Sequence, residues 1–118
     1  MIELDGSVGE GGGQILRTSL ALSCITGQPL RLVRIRAKRS RPGLRAQHLA
    51  CVRAAAQITG ARVSGDRVGS SELSFRPKKV RSGAFGFQVG TAGSTALVLQ
   101  TVLLPLALCG KGTSTLRI

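Results

Sequence analysis

Between Gln14 and Thr26 the apolar residues Leu16, Leu20 and Cys24 recur at i, i+4 and i+8, the spacing of one helical face. Gly27 follows where a helix commonly ends on a left-handed residue, and Pro29 bars continuation. Ahead of this helix Met1–Leu4 reads as a strand leading into a glycine-rich turn. Behind it Leu30–Arg36 alternates as a second strand. Arg41-Pro42-Gly43 marks a turn, and a second helix is predicted from Leu44 to Thr59. Its apolar side carries Leu44, His48, Cys51, Ala55 and Ile58, and Gly60 stops it. Two short strands, Ala61–Ser64 and Glu72–Phe75, flank a polar turn. The order is β-α-β-α-β-β.

The pattern then starts again. Phe85–Val89 reads as a strand, GTAGST at 90–95 leads into a helix from Thr95 to Cys109 with Ser94 as its N-cap, and Thr113–Ile118 alternates like a strand. The helix exits ITGQPLRLVRI at 25–35 and LCGKGTSTLRI at 108–118 share an apolar residue, a glycine, a polar turn and a strand closing on Arg-Ile. The expected fold is α+β, built from repeated βαβαββ units, with helices on one face of a mixed four-stranded sheet. The first unit spans residues 1–83. The second, 84–118, stops short, so the chain is expected to be a fragment that needs neighbours to bury its apolar side.

Composition narrows the chemistry. Apolar residues make up 42% of the 118, which excludes a disordered chain. With three Phe and no Trp or Tyr, aromatic platforms for stacking bases are not expected, and a nucleic acid would be held through its phosphates. The formal net charge is +12 and is uneven. Residues 1–30 hold Glu3, Asp5 and Glu10 against Arg17, whereas Arg31, Arg34, Arg36, Lys38, Arg39, Arg41 and Arg45 crowd the next fifteen positions. Such a run either meets a polyanion or forms a solvated face.

The stretch GEGGGQILR at 9–17 places four glycines around Glu10 directly before the first helix. A helix N-terminus offers unpaired N–H groups, and glycines let an anion approach the backbone closely. Glu10 could hold a divalent cation bridging to phosphate. Gln14 and Arg17, three apart, face one side. The stretch is neither a P-loop nor a dinucleotide fingerprint, and a flexible turn with an incidental acid is the plainer reading. Gln100 is the one amide within Ala96–Leu108, and a buried amide must find partners, in a site or within the fold.

His48, the only histidine, falls on an apolar stripe with no carboxylate close in sequence, so a packed, hydrogen-bonded core histidine is expected rather than a nucleophile. No Ser/His/Asp set or carboxylate pair can be assembled. Cys24, Cys51 and Cys109 are odd in number and far apart, which fits reduced core thiols in a cytoplasmic protein rather than zinc ligands or a disulfide framework. The apolar stretch Ala96–Cys109 is too short and interrupted to span a bilayer, so no membrane association is expected.

LDGSVGEGGGQILRTSLALS, IRAKRSRPGLRAQHL and GTAGSTALVLQTVLLPL together closely resemble the N-terminal part of the RNA 3′-terminal phosphate cyclase family, along essentially the whole chain. The resemblance implies stacked βαβαββ units with a small inserted domain. It also implies an AMP-forming ligase that uses ATP as co-substrate, with Mg or Mn, to turn an RNA 3′-phosphate end into a 2′,3′-cyclic phosphate. A histidine takes AMP, AMP passes to the RNA 3′-phosphate, and the 2′-OH closes the ring.

By resemblance Glu10, Arg17 and Gln100 match ATP-site residues, with Glu10 and Gln100 at the metal. Arg17, Arg36 and Arg39 match residues handling phosphate and the RNA end, and Gly11, Gly12, Gly13 and Gln14 belong to the opening motif. The AMP-accepting histidine, the inserted domain and the C-terminal part are expected to lie outside this chain, and His48 does not match that histidine. The isolated chain is therefore expected to be inactive. Expected partners are RNA 3′-phosphate ends, ATP and further copies of the chain. A non-catalytic cyclase-like RNA-binding protein of ribosome assembly or RNA processing remains an alternative, as does a basic domain that binds any polyanion.

Overall fold

In the computed structural model, which describes residues 1–9, 12–90 and 92–117, strand β1 (Ile2–Asp5) leads into helix α1 (Gln14–Thr26). Gly27 ends α1 in the left-handed conformation, its N–H donating to the Ser23 carbonyl, and the chain returns as β2 (Leu30–Val33). β1 and β2 pair in parallel, Ile2 opposite Leu30 and Asp5 opposite Val33. Helix α2 (Ala46–Thr59) precedes the hairpin of β3 (Arg62–Ser64) and β4 (Leu73–Arg76). β4 lies antiparallel to both β2 and β3, so the mixed four-stranded sheet has the order β1-β2-β4-β3. This is the α+β architecture expected from the sequence.

A second parallel crossover follows. β5 (Ala84–Gly86) and β6 (Thr115–Arg117) pair in parallel, joined by α3 (Ala92–Cys109). α3 packs on both α1 and α2, and α1 lies against β2 and β4.

Alternation in the strands sets the sheet's two faces. Leu30, Leu32, Leu73 and Phe75 are fully buried, together with Leu16 and Leu20 of α1 and Val52, Ala55 and Ile58 of α2. On the other face Arg31 reaches Glu3 at 3.7 Å and Glu72 at 3.6 Å. These pairs are exposed and contribute at most about 1 kcal/mol each.

Four elements begin or end away from their sequence-based positions. β2 stops at Val33 rather than Arg36, because Arg34 (φ 49°) and Arg36 (φ 51°) turn the backbone into the left-handed region. α2 starts at Ala46 rather than Leu44. Leu44 instead pairs its N–H with Ser70 O (3.0 Å) and its carbonyl with Gly69 N–H (2.7 Å). β5 begins one residue early and ends at Gly86. α3 begins at Ala92, which puts Ser94 inside the first turn instead of at the cap. Among the described residues no helix is long and apolar enough to cross a membrane. Cys24 and Cys51 are buried, Cys109 is half-buried, and all three are free thiols.

Candidate phosphate-binding site

The parallel pairing of β1 and β2 delivers two chain segments to the same end of the sheet: the glycine-rich entry to α1 and the basic arch that follows β2. Asp5 and Arg34 join them. Arg34 Nε donates to Asp5 Oδ2 at 2.9 Å and its terminal nitrogen reaches the same oxygen. The Ser7 N–H and hydroxyl donate to Asp5 Oδ1 at 2.9 and 2.7 Å. The guanidinium, with the Ser7 bonds, holds the Asp5 carboxyl far below the usual carboxylate range.

The arch between Arg34 and Arg45 is braced at its base. Ile35 and Leu44 are buried, Ile35 N–H donates to Ser71 O (3.0 Å), and Gly43 N–H donates to Ile35 O (2.9 Å). The Arg36 guanidinium closes the arch from within, donating through NH1 to the carbonyls of Arg41 (2.6 Å) and Gly43 (3.0 Å). Arg36 therefore meets its own backbone carbonyls. Burial, then Arg39 and Arg45, lowers its pKa from the ordinary arginine value.

Gly12, Gly13, Gln14, Arg17 and Arg39 line one cleft of about 650 Å³ at the head of α1. Arg17 NH2 donates to Gln14 Oε1 at 3.0 Å, and Gln14 Nε2 donates to Thr18 Oγ1 at 3.0 Å. The spacing of Gln14 and Arg17 thus does what the sequence implied. Arg17 Nε is buried and has no hydrogen-bond partner among the described residues. Such an orphaned donor costs free energy unless an acceptor arrives.

The glycines are needed for space rather than for unusual torsions. A Cβ on Gly12 would lie 2.8 Å from the Arg39 guanidinium. One on Gly13 would lie 2.8 Å from Arg17 NH1 and 2.7 Å from His48 Nε2. Gly13 is also the N-cap of α1 and gives the first turn no side-chain cap.

His48 is where sequence reasoning was incomplete. It is buried, as expected, and its Nδ1 accepts the backbone N–H of Arg45 at 2.9 Å, capping α2. Its other nitrogen faces Gly13 and Arg17, on a different helix. The N-cap/N3 spacing of Arg45 and His48 was a readable signal for the cap; nothing local pointed across to Gly13. Burial first, then Arg36, Arg17 and Arg45, pushes the imidazole pKa down to about 4, so the ring is neutral.

Two residues expected here, Glu10 and Gly11, lie outside the described residues. Gln100 is exposed on α3 and is not among the residues lining the cleft, so the expectation of a buried amide is corrected. Among the described residues no group of three His, Cys, Asp or Glu side chains stands ready to hold a metal ion.

Comparison with known proteins places this geometry. Residues 8–118 match the model of the RNA 3′-terminal phosphate cyclase family. Proteins named RNA 3′-terminal phosphate cyclase are similar along nearly all of the chain. One from Caldivirga maquilingensis is 58% identical over 100% of this chain and 33% of its own length. One from Archaeoglobus fulgidus is 59% identical over 90% and 32%, and one from Koribacter versatilis is 58% identical over 94% and 31%. The chain spans about a third of the length of these curated relatives. It belongs to the RNA 3′-terminal phosphate cyclase family.

Proposed function

We propose that the full-length protein carrying this chain converts RNA 3′-phosphate ends to 2′,3′-cyclic phosphates at the expense of ATP, and that this portion holds phosphate. The observation that carries the reading is the buried, unpartnered Arg17 Nε in a cleft of hydrogen-bond donors beside Gly12 and Gly13. Guanidinium groups and uncapped helix N–H groups suit phosphate oxygens.

In the reaction implied by the family, a histidine nitrogen bonds to the α-phosphorus of ATP and pyrophosphate leaves. The RNA 3′-phosphate oxygen then displaces the histidine to take AMP. Finally the 2′-oxygen, losing its proton, attacks the 3′-phosphorus and AMP leaves. In this scheme Arg17 neutralises phosphate charge, Arg39 covers the glycine side of the cleft, and Arg36 keeps the arch closed so that Arg39 stays in place.

His48 is not the AMP acceptor in this reading. Its Nδ1 lone pair is committed to Arg45 N–H, and the neutral ring then carries its proton on Nε2, leaving no free lone pair to attack phosphorus. The acceptor is assigned to the portion of the protein beyond this chain.

The described cleft residues are donors, which fit phosphate rather than a cation. A divalent ion, which when bound would neutralise phosphate charge, is left to Glu10 with Gln100. The test is cyclisation by the full-length protein with ATP and Mg or Mn. Arg17→Ala should lower activity on 3′-phosphate RNA by about ten- to a hundredfold, as expected for losing charged hydrogen bonds.

A non-catalytic RNA-binding role is the second reading, favoured by the exposure of Gln100 outside the cleft. ATP binding by the full-length protein, weakened by Gln100→Ala, would count against it.

A further inference from the structure

Two hydrogen-bond donors from different helices converge on one point beside Gly13. An idealised Cβ built on Gly13 lies 2.7 Å from His48 Nε2 and 2.8 Å from Arg17 NH1, so the place a side chain would occupy is within hydrogen-bond reach of both. Neither nitrogen can satisfy the other. Arg17 NH1 only donates. His48 Nδ1 is already the acceptor for Arg45 N–H, which in a neutral imidazole fixes the proton on Nε2 and makes that nitrogen a donor too. The His48 side chain is nine-tenths buried, at 4% exposure, and the α2 cap locks its ring. Arg17 adds a second, buried donor without a partner, Nε. Only an acceptor can satisfy such a pair, and the surrounding guanidinium groups of Arg17 and Arg39 call for an anionic one.

We propose that the Nε2–H of His48 and the guanidinium of Arg17 form a two-donor seat for a single phosphate oxygen beside the Cα of Gly13. The inference rests on the phosphate-binding reading of this cleft and assigns His48, a residue outside the family-derived set, to ligand binding. His48 acts as a neutral donor of fixed direction, whereas the arginines supply charge. Gly13 is required here because a methyl group would fill the seat. Its torsions, φ −78° and ψ −13°, are ordinary helical ones and would admit alanine.

Three variants of the full-length protein separate this role from the capping role, with inorganic phosphate as the probe. His48→Asn keeps an acceptor at the position of Nδ1, and so keeps the α2 cap, but removes the donor at Nε2. His48→Gln places an amide N–H at the Nε2 position. Gly13→Ala leaves the helix backbone intact and blocks the seat.

The seat predicts that His48→Asn and Gly13→Ala weaken phosphate binding about tenfold, or about 1.4 kcal/mol. His48→Gln should stay within about threefold of the unaltered protein, because it retains a neutral donor. Melting temperatures identify any variant that has merely failed to fold. Wild-type affinity in His48→Asn, or an equal loss in His48→Gln, would overturn the proposal. The two readings can fail separately. RNA cyclisation that is indifferent to His48→Asn would remove the seat and leave the activity, while His48-dependent phosphate binding without cyclisation would do the reverse.

Discussion

Arg34 and Asp5, twenty-nine residues apart, tie the end of β2 to the end of β1, and with them the basic arch to the glycine-rich entry of α1. The carboxylate is pinned by Arg34 on one oxygen and Ser7 on the other. Its folded pKa is depressed, so the ion pair is fully formed above the ordinary value of 3.8 and persists as pH falls well below it. A carboxyl-carbon NMR titration should find Asp5 still ionised at a pH where Glu3 and Glu72 have protonated. Asp5→Asn should weaken phosphate binding modestly, by loosening the approach of the two segments rather than by removing a ligand contact.

The imidazole of His48 should titrate near pH 4. Its folded pKa lies below the unfolded value of about 6.5, so the unfolded chain binds the proton first. The sign follows: His48 contributes its stability fully above about pH 6.5, and that contribution is lost as pH falls toward 4. Protonation would also turn Nδ1 from acceptor to donor and break the cap to Arg45. Nitrogen-15 spectra should show a neutral ring with the proton on Nε2 at pH 7, and melting curves should fall between pH 6 and 4 more steeply than in His48→Gln.

Arg36 bridges two carbonyls from one guanidinium nitrogen, at Arg41 and Gly43. The planar fork that lets Arg36 do this is not reproduced by an ammonium group. Arg36→Lys should ease opening of the arch by about 1 kcal/mol, read as roughly fivefold faster hydrogen exchange at the Gly43 amide. Activity on RNA should then fall because Arg39 is no longer held over Gly12. A variant with unchanged exchange at Gly43 but lost activity would mean that Arg36 meets the ligand directly.

Gln100→Ala should leave the melting temperature essentially unchanged, because the side chain is exposed and surface changes of this kind stay within about 0.5 kcal/mol. Calorimetric ATP binding to the full-length protein then reports on a ligand role alone. A weakened affinity supports Gln100 at the nucleotide site, and an unchanged one removes it from that site.

Local signals in the sequence carried much of this architecture. The extent of α1 could be read directly, because Leu16, Leu20 and Cys24 give its buried face and Gly27 its end. Where the reading failed, distant contacts had decided the outcome. Leu44 leaves α2 because its backbone pairs with Gly69 and Ser70, and nothing near position 44 announces those partners. β2 ends early because Arg34 turns left-handed to meet Asp5.

Gln100 was misplaced for a different reason. An apolar run was taken as buried, yet Leu103, Leu104 and Leu108 on the same helix are themselves exposed. In the site, the Gln14–Arg17 pair followed from spacing, but Arg39 over Gly12 and His48 against Gly13 are meetings between separate elements. Only folding brings them together.

The central claim is that this cleft takes a phosphate of an RNA end in an ATP-dependent cyclase. The most direct measurement incubates the full-length protein, and its Arg17→Ala form, with ATP, a divalent cation and RNA ending in either a 3′-phosphate or a 3′-hydroxyl. The account predicts a 2′,3′-cyclic end from the 3′-phosphate RNA alone, greatly reduced in Arg17→Ala. Equal binding of both RNAs with no cyclic product from either would contradict it.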